Sequence, residues 1–275
     1  MRKLATISIN LRPCAWKMCY FSSAMGRATQ SLIKRVQTEL PRGAPFALDT
    51  LEHLGVSAKL AAYYADSGWL TRLGQGVYAF PSDDLSPQAA VKLLQGRVAG
   101  LHVAGKSALA LQGVRHNLAP REPLVLWGDV RSVLPSWFKS RFPARYVAAR
   151  LFNWPNEDMP TQTLSTPPGV AEGLRVSVPE RAVLEMLYEV GTHQGLEEAR
   201  NLFDGLRNLR KDVLEQLLLC CTSVKVVRLF LTWARETRVV DVDALLQRHA
   251  LPVGSDKRWM SRLKDGTLLT LKPHG

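Results

Sequence analysis

Apolar residues in the first third of the chain recur first at helical spacing and then in short extended runs. Leu32, Ile33, Val36 and Leu40 share one face of a 3.6-residue period, which predicts a helix over residues 29–40. Pro41, Arg42 and Gly43 end it. Residues 44–47 read as a short extended piece. Leu48, Leu51 and Leu54 mark a second short helix, with Gly55 at the position past its end where a left-handed residue closes the last turn. Ser57 is the N-cap candidate of a third helix reaching about Asp66, because its hydroxyl can accept one of the unpaired N–H groups of the first turn. Gly68 marks the exit. Residues 69–73 and 77–80 flank Gly74-Gln75-Gly76 and predict a β-hairpin. Helix, short strand, helix, turn, helix, hairpin is the element order of a winged helix-turn-helix.

The polar run of residues 81–87 (PSDDLSP) is the best boundary in the chain. Beyond it the pattern is less regular. Residues 88–95 and 105–111 read as helices, and 124–127, 145–151 and 174–178 as strands. From Pro179 onward helical periodicity dominates, over 179–190, 196–206, 211–221, 224–236 and 242–250, with 268–271 as a final strand candidate. The expected fold class is α+β: an N-terminal winged helix-turn-helix, then a larger mixed α/β domain with a helical C-terminal half. The expected domains are a basic extension over 1–26, the winged helix over 27–84, and the larger domain over 85–275.

Charge changes this picture. The 275 residues carry a formal net charge of +12, which favours an anionic partner. Residues 25–84 are neutral, with six cations and six acids, and residues 157–275 are neutral too. Residues 85–156 carry ten Lys and Arg against two acids, Glu122 and Asp129, a net of +8. Residues 1–24 hold four cations and no acid. Two readings of that extension are open: translation starting naturally at Met25, or a basic arm that touches DNA. The apolar stretches of the chain fall short of the ~20 residues a membrane helix needs. Cys14, Cys19, Cys220 and Cys221 form no CxxC and no metal-ligand spacing, which fits a reducing cytoplasm.

In a winged helix, the N-terminal part of the third helix enters the major groove. Leu60, Ala61 and Tyr64 take its core face, which leaves Ser57, Lys59 and Tyr63 outward as candidate DNA contacts. Arg72 and Gln75 flank the hairpin turn and can reach the backbone or the minor groove. In the basic segment, Lys106, Arg115, Arg121, Arg131, Lys139, Arg141, Arg145 and Arg150 are candidates for phosphate or partner contact. They cannot all be buried unpaired, so they face solvent, a partner, or acids from residues 157–275. A winged helix can instead dock protein, and the neutrality of residues 25–84 favours that alternative.

The run LAAYYADSGWLTRLGQGVY over residues 60–78 resembles the winged-helix domain of AbiEi-type antitoxins of type IV toxin–antitoxin systems. GKSALALQG at 105–113 and VSVPERAVLE at 176–185 resemble two later elements of that family, in the expected order. The resemblance implies an autorepressor that binds repeats in its own promoter and counteracts a nucleotidyltransferase-like toxin, with or without direct contact. Gln112 stands where the family commonly has His, which leaves the role of that position open.

Competing chemistry is weakly signalled. Residues 100–107 (GLHVAGKS) satisfy the phosphate-cradling pattern GxxxxGK[ST], but Leu101, Val103 and Ala104 put apolar groups in what should be a polar loop. No Lys follows an acid at the two-residue spacing of metal-dependent nucleases, and there is neither HExxH nor GxSxG. The expectation is a non-enzyme with no catalytic set, no metal and no cofactor.

Overall fold

The computed structural model describes residues 31–115, 122–264 and 266–272. The expectations for residues 1–26, and for Arg121, lie outside the described residues. The chain divides into two compact units between Asp84 and Leu85.

The first unit holds helix α1 (31–39), strand β1 (Phe46–Ala47), α2 (Leu48–His53), α3 (Ala58–Asp66), β2 (Thr71–Gly74) and β3 (Val77–Ala79). Gly55, at φ +86°, donates its N–H to the Glu52 carbonyl and closes α2. Two residues on, the Ser57 hydroxyl accepts from the Leu60 N–H at 3.3 Å and opens α3. The strands form an antiparallel sheet in the order β1-β3-β2, with a register shift between Arg72 and Gly74. Ile33, Val36, Leu51, Val56, Ala61, Tyr64, Leu70 and Phe80 fill one core between helices and sheet. Asp83 ties the end of the unit to its beginning. It accepts from the Gly43 N–H at 2.8 Å and pairs with Arg42, whose guanidinium lies 4.3 Å from the centre of the Phe80 ring.

The second unit begins with α4 (Pro87–Gln95), β4 (His102–Val103), α5 (Gly105–Leu111), β5 (Leu124–Gly128), α6 (Ser136–Lys139) and β6 (Ala144–Ala148). It continues with α7 (Met159–Gln162), β7 (Leu164–Ser165), β8 (Val176–Ser177) and α8 (Pro179–Glu189). The helical half follows: α9 (Leu196–Asp204), α10 (Lys211–Cys220), α11 (Val224–Thr237) and α12 (Val242–Arg248), then the hairpin β9 (Trp259–Arg262) and β10 (Leu268–Leu271). The central sheet has the order β6-β5-β4-β8-β7 and is mixed: β5/β6 and β4/β8 are parallel, β4/β5 and β7/β8 antiparallel. This is the α+β class and the helical C-terminal half that the spacing predicts. The third expected strand shrinks to two residues, and the second ends at Ala148 because Ala149–Trp154 turns away as a loop. The periodicity does not announce strands β4, β7 and β9 or helices α6 and α7. Elements of two to four residues are too short to display a period.

Helix α8 is buried on nearly every side. A helix in that position is normally apolar all round, yet α8 carries Glu180, Arg181, Glu185 and Glu189. Burying a charge is costly unless it is paired, and each of these is. Glu180 meets Arg210, Arg181 meets Glu185, and Glu189 meets Arg145.

Candidate nucleic-acid interface

Helix α3 presents the candidate reading residues on its solvent side. Ser57 and Lys59 are exposed, and Tyr63 is 59 % exposed. Lys59 and Tyr63 are four residues apart, so they share one face. Ala61 and Tyr64 turn into the core. Leu60, expected on the core face, is only half-buried, and packs against the cluster from its edge. On the hairpin, Arg72 and Gln75 are both exposed. Arg72 lines a cleft of about 380 Å³ together with Ala62, Ala65 and Asp66 of α3, so strand and helix present one continuous surface. Neither Lys59 nor Arg72 makes an ion pair among the described residues. Trp69, 47 % exposed where the chain enters β2, adds an aromatic ring that periodicity assigns to the strand without marking its exposure.

The basic segment divides in two. Arg115, Arg131, Lys139, Arg141 and Arg150 are exposed and make no ion pair among the described residues. Arg115 and Arg141 donate to the carbonyls of Ala110 and Trp137. Lys106 and Arg145 are turned inward instead. Lys106 is 16 % exposed and sits 2.8 Å from Glu198 and 3.5 Å from Glu122. Arg145 forms a two-pronged pair with Glu189, its Nη2 lying 2.9 Å from Oε2. These two cations are already neutralised within the chain.

The geometry removes the phosphate-cradle reading of residues 100–107. Leu101 and Ala104 are fully buried, and His102 and Val103 form a strand inside what should be a loop. The Gly105 N–H, which such a cradle would turn to phosphate, donates to the Glu185 carboxylate at 3.1 Å. Glu185 is the centre of a wholly internal network. It also accepts from Ser177 at 2.8 Å and from Arg181 Nε at 2.7 Å, and lies 3.0 Å from His102 Nε2. Burial pushes the Glu185 carboxyl up, but Arg181, then His102 and Ser177, outweigh it and hold the pKa at about 2. Arg181 Nη1 additionally reaches the Pro160 carbonyl and the Thr163 hydroxyl, each at 3.1 Å.

The run VSVPERAVLE therefore forms a structural clamp that joins β8, α5, α7 and α10 to α8. The sequence marks the run but not its role, because its partners lie far away in the chain; His102 is 83 residues from Glu185. Gln112 belongs to the same construction, its side-chain amide donating to the Ser177 carbonyl at 2.6 Å. Among the described residues no group of His, Cys, Asp and Glu is disposed to hold a metal ion.

Two family profiles match the chain. One, described as the N-terminal domain of AbiEi antitoxin transcriptional regulators, spans residues 29–120. The other, described as transcriptional regulator, AbiEi antitoxin, type IV toxin–antitoxin system, spans residues 121–272. The N-terminal profile runs past the unit boundary at Asp84 and takes in α4, β4 and α5. None of the curated proteins matches the chain. Among solved structures, the RV2827C protein from Mycobacterium tuberculosis has a similar fold, at a TM-score of 0.53 and 16 % identity, over 86 % of this chain and 88 % of that one. The class of protein thus defined is a two-unit α+β transcriptional regulator. The chain belongs to the AbiEi antitoxin family of type IV toxin–antitoxin systems.

Proposed function

We propose that the protein is a non-enzymatic, cytoplasmic DNA-binding autorepressor and antitoxin. In this reading the first unit is a winged helix-turn-helix that reads the protein's own promoter, and the whole chain counteracts a nucleotidyltransferase-like toxin. The observation that carries it is the capped helix α3, whose outward face holds Ser57, Lys59 and Tyr63 beside a hairpin that exposes Arg72 and Gln75. Base contacts there supply specificity, and exposed cations of the second unit supply phosphate contacts. Family membership supports regulation and antitoxin action. Among the described residues no helix is long and apolar enough to cross a membrane.

The test is binding of the full chain to its promoter DNA, measured by fluorescence anisotropy. Lys59→Ala with Tyr63→Ala, and Arg72→Ala alone, are expected to weaken specific binding by ~1–3 kcal/mol for each side chain that reads a base. Unchanged affinity in correctly folded variants would remove α3 and the hairpin from DNA reading. A second reading is a protein-docking module, favoured by the aromatic exposure of Tyr63 and Trp69 on a segment, residues 25–84, that carries no net charge. It predicts that the same variants lose a protein partner, and that the chain shows no specific affinity for its promoter DNA with or without them.

A further inference from the structure

In the second unit a cavity of about 350 Å³ opens at the carboxyl ends of the parallel strands β5 and β6. Trp127 and Asp129 line it from the end of β5, and Arg150, Phe152 and Trp154 from the loop after β6, with Arg181 of α8 closing the inner side. We propose that this cavity binds a nucleoside monophosphate unit, its base between the aromatic rings and the strand end, its phosphate on Arg150.

Four observations carry the assignment. Trp127 is 2 % exposed, and its indole Nε1 is the one buried side-chain nitrogen or oxygen among the described residues that has no hydrogen-bond partner. Buried donors are nearly always satisfied; this one has almost no accessible surface but lies on a residue that lines the cavity, so a ligand acceptor meets it when the indole edge turns toward the opening. Asp129 lines the same cavity and supplies acceptors only. A ligand edge that meets both must carry an acceptor close to N–H donors, as a nucleobase edge does.

The third observation is the aromatic wall. Phe152 and Trp154 lie 4.8 Å apart at 35°, and the Arg181 guanidinium sits 5.7 and 5.2 Å from their ring centres. Arg181 is itself fixed by Glu185, Pro160 and Thr163, so the wall is pre-organised. Bases stack on such surfaces whatever their sequence.

The fourth is Arg150, exposed at the opening and without an ion pair among the described residues, which offers its guanidinium fork to a phosphate. Inorganic phosphate alone would use Arg150 and leave the Trp127 donor and the rings unused. A purely apolar ligand would leave both Arg150 and Asp129 unmatched. The strand-end position is also where open α/β sheets place their ligands. The loop that bounds the site is held by Tyr146, whose hydroxyl donates to the Val130 carbonyl at 2.6 Å. Gly128 leaves room for that hydroxyl, where a Cβ would collide with it.

The experiment is isothermal titration calorimetry of the full chain with AMP, GMP, CMP and UMP, and with inorganic phosphate as the comparison. At least one nucleotide is expected to bind more than about tenfold tighter than phosphate. Trp127→Phe keeps a ring and removes the N–H, and is expected to weaken that nucleotide about tenfold, as for the loss of one hydrogen bond. Arg150→Ala removes an exposed side chain and is expected to weaken the nucleotide at least about tenfold while leaving the parent nucleoside unchanged. Lys106→Ala is expected to change nothing, which separates this site from the run at residues 100–107.

A 5′-phosphorylated trinucleotide that competes with the nucleotide identifies the source as a strand end. A bound nucleotide that the trinucleotide cannot displace identifies a free nucleotide, and both results keep the site. No heat from any of the four nucleotides overturns the proposal. So does phosphate binding as tightly as they do, or a nucleotide affinity that Arg150→Ala leaves intact.

Discussion

Lys59 and Arg72 of the first unit stand in solvent, whereas Lys106 and Arg145 of the second fold inward onto Glu198, Glu122 and Glu189. By net charge the expectation runs the other way. Residues 25–84 are neutral and residues 85–156 carry +8. Net charge counts residues without regard to pairing, and pairing decides which charges a distant phosphate can feel. In the first unit Arg35 and Arg42 are held by Glu39 and Asp83, which leaves the α3 and hairpin cations unengaged. In the second, acids from beyond residue 156 reach back to neutralise part of the basic segment. The same unit buries a further set of charges in α8, where they hold elements together and do not meet a partner.

The largest effect that can test this contrast is at that buried set. Removing one member of a buried pair leaves an uncompensated charge and typically costs 3–5 kcal/mol. Arg181→Met is accordingly expected to destabilise the second unit by about that much, seen as a lower urea midpoint for the chain. Glu185→Gln tests the same network through pH. The folded Glu185 pKa is depressed from 4.5 to about 2, so the unfolded chain takes up the proton first. Its contribution to stability is complete above pH 4.5 and is lost as pH falls from there towards 2. The wild-type stability curve should therefore drop over that window by more than the curve of Glu185→Gln. Parallel curves would mean that the network does not hold the carboxylate as described.

How much of this the sequence displays follows from range. In the first unit every decisive signal is local. Gly55 and Ser57 bracket the turn between α2 and α3, Gly68 ends α3, and Gln75-Gly76 turns the hairpin, each within a few residues of what it controls. In the second unit the long helices α8 to α11 are legible because nine or more residues display a period. Strand β4 is two residues long, and it exists because β5 and β8 lie on either side of it, pairs that no local pattern announces. The candidate site splits in the same way. Lys59, Tyr63, Arg72 and Gln75 lie outward, as the spacing places them. Lys106 and Arg145 share the composition of their exposed neighbours but find acids 92 and 44 residues away.

A smaller effect separates the two kinds of cation directly. Phosphate contacts set the slope of log affinity against log salt, at about 0.9 for each phosphate neutralised on duplex DNA. Replacing Arg131, Lys139 and Arg141 by Ala is expected to flatten the slope by about that amount for each that touches DNA, with sequence preference retained. Arg145→Ala is expected to leave the slope unchanged and to lower stability instead, because its guanidinium is engaged by Glu189. An equal slope for wild type and the triple variant would move these exposed cations from DNA to a protein partner. A flattened slope for Arg145→Ala would mean that its pair with Glu189 opens on DNA.

The finest distinction lies at Ser57, which has both a structural and a candidate reading role. Its hydroxyl oxygen caps α3 by accepting from Leu60, and its hydroxyl proton remains available to a phosphate or a base edge. Ser57→Ala removes both functions, so weaker DNA binding in that variant has two explanations. The cap alone is worth ~1 kcal/mol, a stability loss that thermal unfolding detects. Ser57→Asp separates the roles, since Asp caps a helix as well as Ser does and adds a favourable charge at the positive end of the helix dipole. The same carboxylate would repel DNA. Stability should therefore stay at or slightly above wild type while specific affinity falls by more than in Ser57→Ala. If Ser57→Asp binds its promoter as tightly as wild type, the start of α3 does not approach the DNA backbone, and the contacts of that helix begin at Lys59 or later.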